Sequence, residues 1–160
     1  MSQKYKTNLK QLNMPQYSFR ITGKEGAGMI LDIQRKRWVK LTPEEWVRQN
    51  FVQYLIREGG YPAGLIGIEM TLKYNKLKWR ADIVVHNRSG KPVMIVECKS
   101  YETEIVDNDV FDQVNNYNRE LEVPYFIVTN GIVHLAFKIN PENKRPEFLD
   151  VIPLYDDLLT

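Results

Sequence analysis

Apolar and polar positions change period several times along the chain, and each change marks an element. After a polar tail at residues 1–16, Tyr17 to Thr22, Met29 to Ile33 and Trp38 to Leu41 are short apolar-rich runs. A glycine-rich turn with Gly23, Gly26 and Gly28 and the basic turn Gln34 to Arg37 separate them, which predicts a small β meander. The period then becomes helical. Thr42-Pro43-Glu44-Glu45 combines an N-cap threonine, a proline at the first helical position and acids in the first turn, and Gly59-Gly60 stops the helix after Glu58. Stepped at about 100° per residue from Pro43, the positions Val47, Phe51, Leu55 and Val52 define one apolar face. Glu44 falls at its centre, Arg48 inside it and Glu45 at its edge, so the wheel favours Glu44 over Glu45 as the inward acid. A carboxylate on the buried side of a helix needs a partner or a task.

Strand patterns follow around Leu65 to Tyr74, Trp79 to His86 and Val93 to Lys99. The loop Asn87 to Lys91 makes Trp79 to Lys99 a hairpin. Asp109 to Leu121 can form a helix with Val110, Val114 and Tyr117 on one side. The apolar runs Pro124 to Val128 and Ile132 to Ile139 are two further strands. A helix between Lys99 and Tyr125 is long enough to be a right-handed crossover joining parallel strands. The expected fold is α/β: a mixed sheet flanked by helices, with residues 17–160 as one domain and the apolar ending Phe148 to Leu158 packed on its body.

Composition narrows the function classes. The 160 residues suit one domain with a real core, at 43% hydrophobic and 26% charged residues. The net charge of +2 hides an asymmetry: residues 1–80 carry 15 Lys or Arg against 6 Asp or Glu, and residues 81–160 carry 7 against 14. One cysteine, Cys98, and two separated histidines, His86 and His134, exclude a thiolate-rich metal site. The glycine cluster lacks the Lys and Ser/Thr of a P-loop, so no ATP site is expected. No run approaches about 18 consecutive apolar residues and the N-terminus has no signal-peptide pattern, so a cytoplasmic protein without a membrane segment is expected.

The hairpin carries the chemistry. A two-residue turn at Ser89-Gly90 pairs Asp82 with Glu97 and Arg80 with Lys99, with Ala81, Ile83, Val96 and Cys98 on the opposite face. Two carboxylates with Cβ atoms about 5 Å apart repel unless a proton or cation neutralises them, and oxygen-only ligation points to magnesium or manganese. Lys99, two residues beyond Glu97, brings an ammonium that can stabilise an oxyanion or orient a water. Cys98 turns its thiol to the apolar face and reads as core. His86 and His134 read as sheet-end residues. The structural alternative for Asp82 and Glu97 is a pair of carboxylates neutralised by Arg80 and Lys99.

The pattern is Asp82, fourteen intervening residues, then Glu97-Cys98-Lys99 after the apolar run Val93 to Val96. With Leu41 to Gln49, Arg80 to Val85, Val110 to Gln113, Tyr117-Asn118 and Thr129-Asn130-Gly131, it resembles the PD-(D/E)xK nuclease superfamily. The specific likeness is to the N-terminal nuclease domain of the restriction subunit of type I restriction enzymes, over about Tyr17 to Pro153. Ala81 stands where that pattern has a proline.

The resemblance implies a restriction-endonuclease-like sheet that cuts DNA with magnesium. Asp82, Glu97 and the Cys98 backbone carbonyl would hold the metal, with Glu44 as an outer ligand or base helper. Lys99 would act at the attacking water or the transition state, and Gln113 and Tyr117, the family's Q-x-x-x-Y element, would position the phosphate or support the site. Arg48, Arg80 and the basic cluster Arg35, Lys36, Arg37, Lys40, Lys73, Lys76 and Lys78 are candidate site supports or phosphate contacts. Expected partners are DNA and modification, specificity or motor subunits on other chains, since these residues leave no room for a helicase motor. Cutting both strands is easiest for a homodimer. The alternative function is a noncatalytic DNA-binding or docking module of a restriction-modification assembly.

Overall fold

A computed structural model describes residues 9–23 and 28–160. Residues 1–8 of the N-terminal tail and residues 24–27 of the glycine-rich turn lie outside the described residues. The meander is present as a three-stranded antiparallel sheet of β1 (Ile21–Thr22), β2 (Met29–Asp32) and β3 (Arg37–Lys40). In the β2–β3 turn Asp32 Oδ1 accepts from the backbone N–H of Gln34 and Arg35 at 2.8 and 3.1 Å, an Asx-type closure that draws the Arg35 side chain back toward Asp32.

Helix α1 (Pro43–Arg57) starts where its capping residues demand, with Thr42 Oγ1 accepting from Glu45 N at 3.1 Å. It ends as Gly59 N and Tyr61 N both donate to Leu55 O at 3.1 Å, a reversal that requires the left-handed Gly60 at φ 70°.

The second sheet is six-stranded in sequential order: β4 (Ile66–Tyr74), β5 (Leu77–His86), β6 (Pro92–Cys98), β7 (Tyr125–Thr129), β8 (His134–Ile139) and β9 (Pro146–Leu149). Every neighbouring pair is antiparallel except β6 and β7, which run parallel through the predicted crossover helix α2 (Asp107–Glu120). The two helices cover opposite faces. Val47, Phe51 and Leu55 of α1 pack on Ile83, Val85, Val96 and Ile127, whereas Val110 and Val114 of α2 pack on Val84, Ile95, Phe126 and Val128. Burial on both faces explains why β6 and β7 read as unbroken apolar runs rather than alternating ones. In the terminal segment Tyr155 and Leu158 join the α1 core, as does Leu12 from the N-terminal tail, whose neighbour Asn13 donates N–H to Gly131 O at 2.8 Å.

Two expectations for the hairpin are corrected. The β5–β6 connection is not a two-residue turn: Asn87 N donates to Lys91 O, Asn87 Oδ1 accepts from the N–H of Ser89 and Lys91, and a bulge lies at Val85/His86. The bulge absorbs the longer loop, so the inner register still pairs Ile83 with Val96 and Val85 with Met94. The ladder stops there, one pair short of Asp82 and Glu97. Arg80 pairs with Thr71 on β4 instead of with Lys99, because β6 ends at Cys98.

Ala81 also leaves the side of Ile83. Met70 and Ala81 belong to the α2 core, while Ile68 and Ile83, two residues away on the same strands, belong to the α1 core. Between them Glu69 adopts φ 49°, a left-handed kink that breaks the alternation of β4 opposite Asp82.

Candidate active site

The kink and the end of the β5–β6 ladder open a cleft of about 330 Å³ at the C-terminal end of β6, between the start of α1 and the middle of α2. Asp82, Glu97, Lys99, Glu44, Arg48 and Tyr117 all line it, so residues spread over three-quarters of a hundred positions meet at one place. Asp82 takes over where the strand pairing stops: its Oδ2 accepts from Cys98 N at 2.8 Å and its Oδ1 from Arg48 at 3.1 Å. Asp82 is thereby tied both to the β6 backbone beside Glu97 and to α1.

Glu97 is held from two sides. Lys99 Nζ donates to Oε1 at 2.7 Å, and the amide of Gln113 on α2 donates to Oε2. Burial works against the Lys99 ammonium, but its hydrogen bond and charge contact with Glu97, helped by Asp82 and Glu44, outweigh that and raise its pKa. Tyr117, one helical turn from Gln113, has its phenol pushed up to about 12 by burial and by the negative Glu97. Its ring packs edge-on to Trp79 at 5.0 Å and stacks on Phe126 at 6.2 Å. Tyr117 is thus a core ring and a cleft residue at once. The Cys98 thiol, buried and raised well above its ordinary range by burial and by Asp82, faces the α1 core as expected.

On α1 the two acids exchange the surroundings that the wheel assigned. Glu45 is the buried one, with its side chain 7% exposed, and Glu44 is 49% exposed. The wheel counted only the sheet as a buried surface, whereas the meander covers the Glu45 edge as well: Arg35 from the β2–β3 turn bonds Glu45, together with Arg48 and Gln49. Glu44 nevertheless lines the cleft. Its carboxyl is raised by burial and then by Asp82, against the pull of Arg48 and Lys99.

Arg35 is corrected as a free phosphate contact, because it is 12% exposed and is committed to Asp32, Glu45 and, at 3.1 Å, Glu69. Buried carboxylates, not solvent, set its position. Lys36, Arg37, Lys40, Lys73, Lys76 and Lys78 are exposed, and Arg80, 71% exposed at the cleft, bonds Glu69 at 3.1 Å. Glu69 is the residue that sequence reasoning missed. A lone acid inside the apolar run Ile66 to Met70 was its signal.

His86 and His134 sit at strand ends, the first 3.2 Å from Leu65 O, the second 2.7 Å from Thr129 Oγ1 and 3.1 Å from Asn13 O. Among the described residues no helix is long and apolar enough to cross a membrane. Nor, among them, do three or more His, Cys, Asp or Glu side chains form a metal-holding group; Asp82 and Glu97 are each engaged by a cation of the protein itself.

A comparison with curated proteins finds no significant match. Among solved structures, the chain is similar to a fragment assigned as an HsdR subunit of a type I restriction enzyme from Vibrio vulnificus YJ016. Identity is 21% and the TM-score 0.52, with 74% of this chain and 25% of that chain covered. That likeness bears on the fold, and this chain spans about a quarter of the relative's length. The family model described as type I restriction enzyme R protein N terminus (HSDR_N) matches residues 43–153, the stretch that supplies every cleft residue from Glu44 to Tyr117. With well over half of its length matched, the chain belongs to the type I restriction enzyme R protein N-terminus family.

Proposed function

We propose that this chain is a divalent-metal-dependent DNA endonuclease domain that hydrolyses phosphodiester bonds within a type I restriction assembly. The observation that carries the reading is the meeting of Asp82, Glu97 and Lys99 in one cleft. The donor set suits magnesium or manganese: carboxylates and backbone carbonyls, with the one nearby thiol buried and protonated. Asp82, Glu97 and the Cys98 carbonyl would hold the ion, with Glu44 alongside, and a cation there would offset the repulsion between Glu44 and Asp82. When bound, the ion supplies Lewis-acid polarisation of the phosphate.

The protein's own groups do the rest. Lys99, kept charged by Glu97, lies where it can neutralise charge developing on a phosphoryl oxygen. Gln113 fixes the rotamer of Glu97 from the other side. Tyr117 keeps its proton through neutral pH and so serves as a donor at the cleft wall. The raised carboxyl of Glu44 is the better proton acceptor for an attacking water. Exposed lysines and arginines of the meander and the β4–β5 turn would meet the DNA backbone without reading sequence. Other subunits of a restriction-modification system in the cytoplasm are the proposed partners.

The test is cleavage of supercoiled, linear and single-stranded DNA in magnesium or manganese. Glu97→Ala and Lys99→Ala should each lower the rate at least about 100-fold while leaving the circular dichroism spectrum unchanged. Undiminished nicking by purified Glu97→Ala would refute the assignment. The engagement of Asp82 and Glu97 by Arg48 and Lys99 favours one competing reading, a noncatalytic DNA-binding or docking module. Salt-dependent DNA binding without cleavage in either metal would support it.

A further inference from the structure

Arg48 is 6% exposed, yet the two ends of its guanidinium have different surroundings. Nη1 bonds Glu45, which Arg35 and Gln49 also hold, so this end is anchored in the interior. Nη2 faces the cleft and three carboxylates from three elements: Asp82 at 3.1 Å, Glu44 at 3.2 Å and Glu69 at 3.6 Å. Nε is buried with no hydrogen-bond partner among the described residues, so no third bond locks the group in place. The other two cations of the cleft are committed elsewhere, Lys99 to Glu97 and Arg80 to Glu69. Arg48 is therefore the cation in direct contact with both Asp82 and Glu44 among the described residues.

We infer that Arg48 is an internal placeholder cation, whose Nη2 holds Asp82 and Glu44 together when no metal is bound and competes with a divalent ion for Asp82. The inference rests on the metal-dependent reading of the cleft. A guanidinium hydrogen-bonded to a ligand oxygen occupies a lone pair that the metal needs, and its charge opposes the entry of a second cation. Arg48 thus keeps the cleft assembled without metal and weakens metal binding. Its anchor on Glu45 makes it a positioning residue set by the meander through Arg35.

Magnesium and manganese titrations by calorimetry, without DNA, test this on wild type, Arg48→Met and Arg48→Lys. Arg48→Met leaves Glu45 with Arg35 and Gln49, and Asp82 with the Cys98 N–H; Glu44 loses its ion pair, but its side chain is half-exposed and stays hydrated. Its metal affinity should rise about tenfold, the effect of removing one adjacent like charge. Arg48→Lys cannot span Glu45 and Asp82 with a single ammonium, and its affinity should rise about threefold. It keeps the test valid should Arg48→Met not fold, which circular dichroism will report. Equal or weaker metal affinity in either folded variant, with binding intact in wild type, overturns the placeholder role and leaves the nuclease reading standing. Absence of magnesium and manganese binding in all three proteins overturns both.

Discussion

Glu44 and Glu45 are adjacent in sequence, and their replacement should have opposite consequences. Glu45→Gln removes a charge that is 7% exposed and holds two guanidiniums at once. Breaking a buried ion pair by losing one partner costs about 3–5 kcal/mol. Both arginines keep other carboxylates, Asp32 and Glu69 for Arg35, Asp82 and Glu44 for Arg48, and the amide of glutamine can still accept one bond. The expected loss therefore sits at or below the low end, about 2–3 kcal/mol. In a domain of this size that lowers the melting temperature by roughly 4–12 °C. Glu44→Gln removes a half-exposed carboxylate that Asp82 repels, so its stability should equal or exceed that of wild type while DNA cleavage falls. Urea unfolding followed by tryptophan fluorescence measures both, with midpoints compared at constant slope. A Glu45→Gln variant within about 0.5 kcal/mol of wild type, or a larger loss from Glu44→Gln, would refute the placement of these side chains and with it the meander's role in building the site.

The raised Glu44 carboxyl gives a sign for pH. Because the folded state binds that proton more tightly than the unfolded chain, ionised Glu44 is a penalty present above its folded pKa and absent below the ordinary carboxylate range. Glu44→Gln should thus gain stability at neutral pH without metal and lose the gain as pH falls below the ordinary carboxylate range; a gain independent of pH would contradict this. Gly131 has φ 85°, and a Cβ there would meet Leu12 Cδ2 at 2.7 Å, so Gly131→Ala should cost about 1–3 kcal/mol, read by thermal melting; a neutral substitution would show that Leu12 is not docked there. The Cys98 thiol should resist a disulfide reagent in the folded protein and react fully in denaturant; rapid labelling of the native protein would contradict its burial.

Period and punctuation were sufficient for most of the local structure. Thr42, Pro43 and the Gly59-Gly60 stop delimit α1 by backbone chemistry that acts within a few residues, and the doubly apolar β6 and β7 with a helix between them imply a parallel crossover. The pairing of Ile83 with Val96 was also legible, although the loop that sets it was not. A bulge at Val85/His86 compensates for the longer loop, and no local pattern distinguishes that combination from a two-residue turn.

The candidate site divides in the same way. Asp82, Glu97 and Lys99 could be named from the hairpin because adjacent strands carry them at spacings set by covalent geometry, and Gln113 and Tyr117 from the family resemblance. Their hydrogen bonds could not. Ion-pair partners are chosen by which charged groups share a poorly solvated space, and that depends on how the meander, α1 and β4 pack. Hence Arg35, which reads as a solvent-facing phosphate contact, is buried in carboxylates; Glu45 takes the interior that the helical wheel gave to Glu44; and Glu69 enters the cleft through a left-handed kink. Local pattern was enough for the elements, their order and the cluster of acids and lysine on the hairpin. Which charges neutralise one another depends on packing, because Coulomb attraction in a desolvated cleft is set by distances of a few ångströms between segments that are remote along the chain.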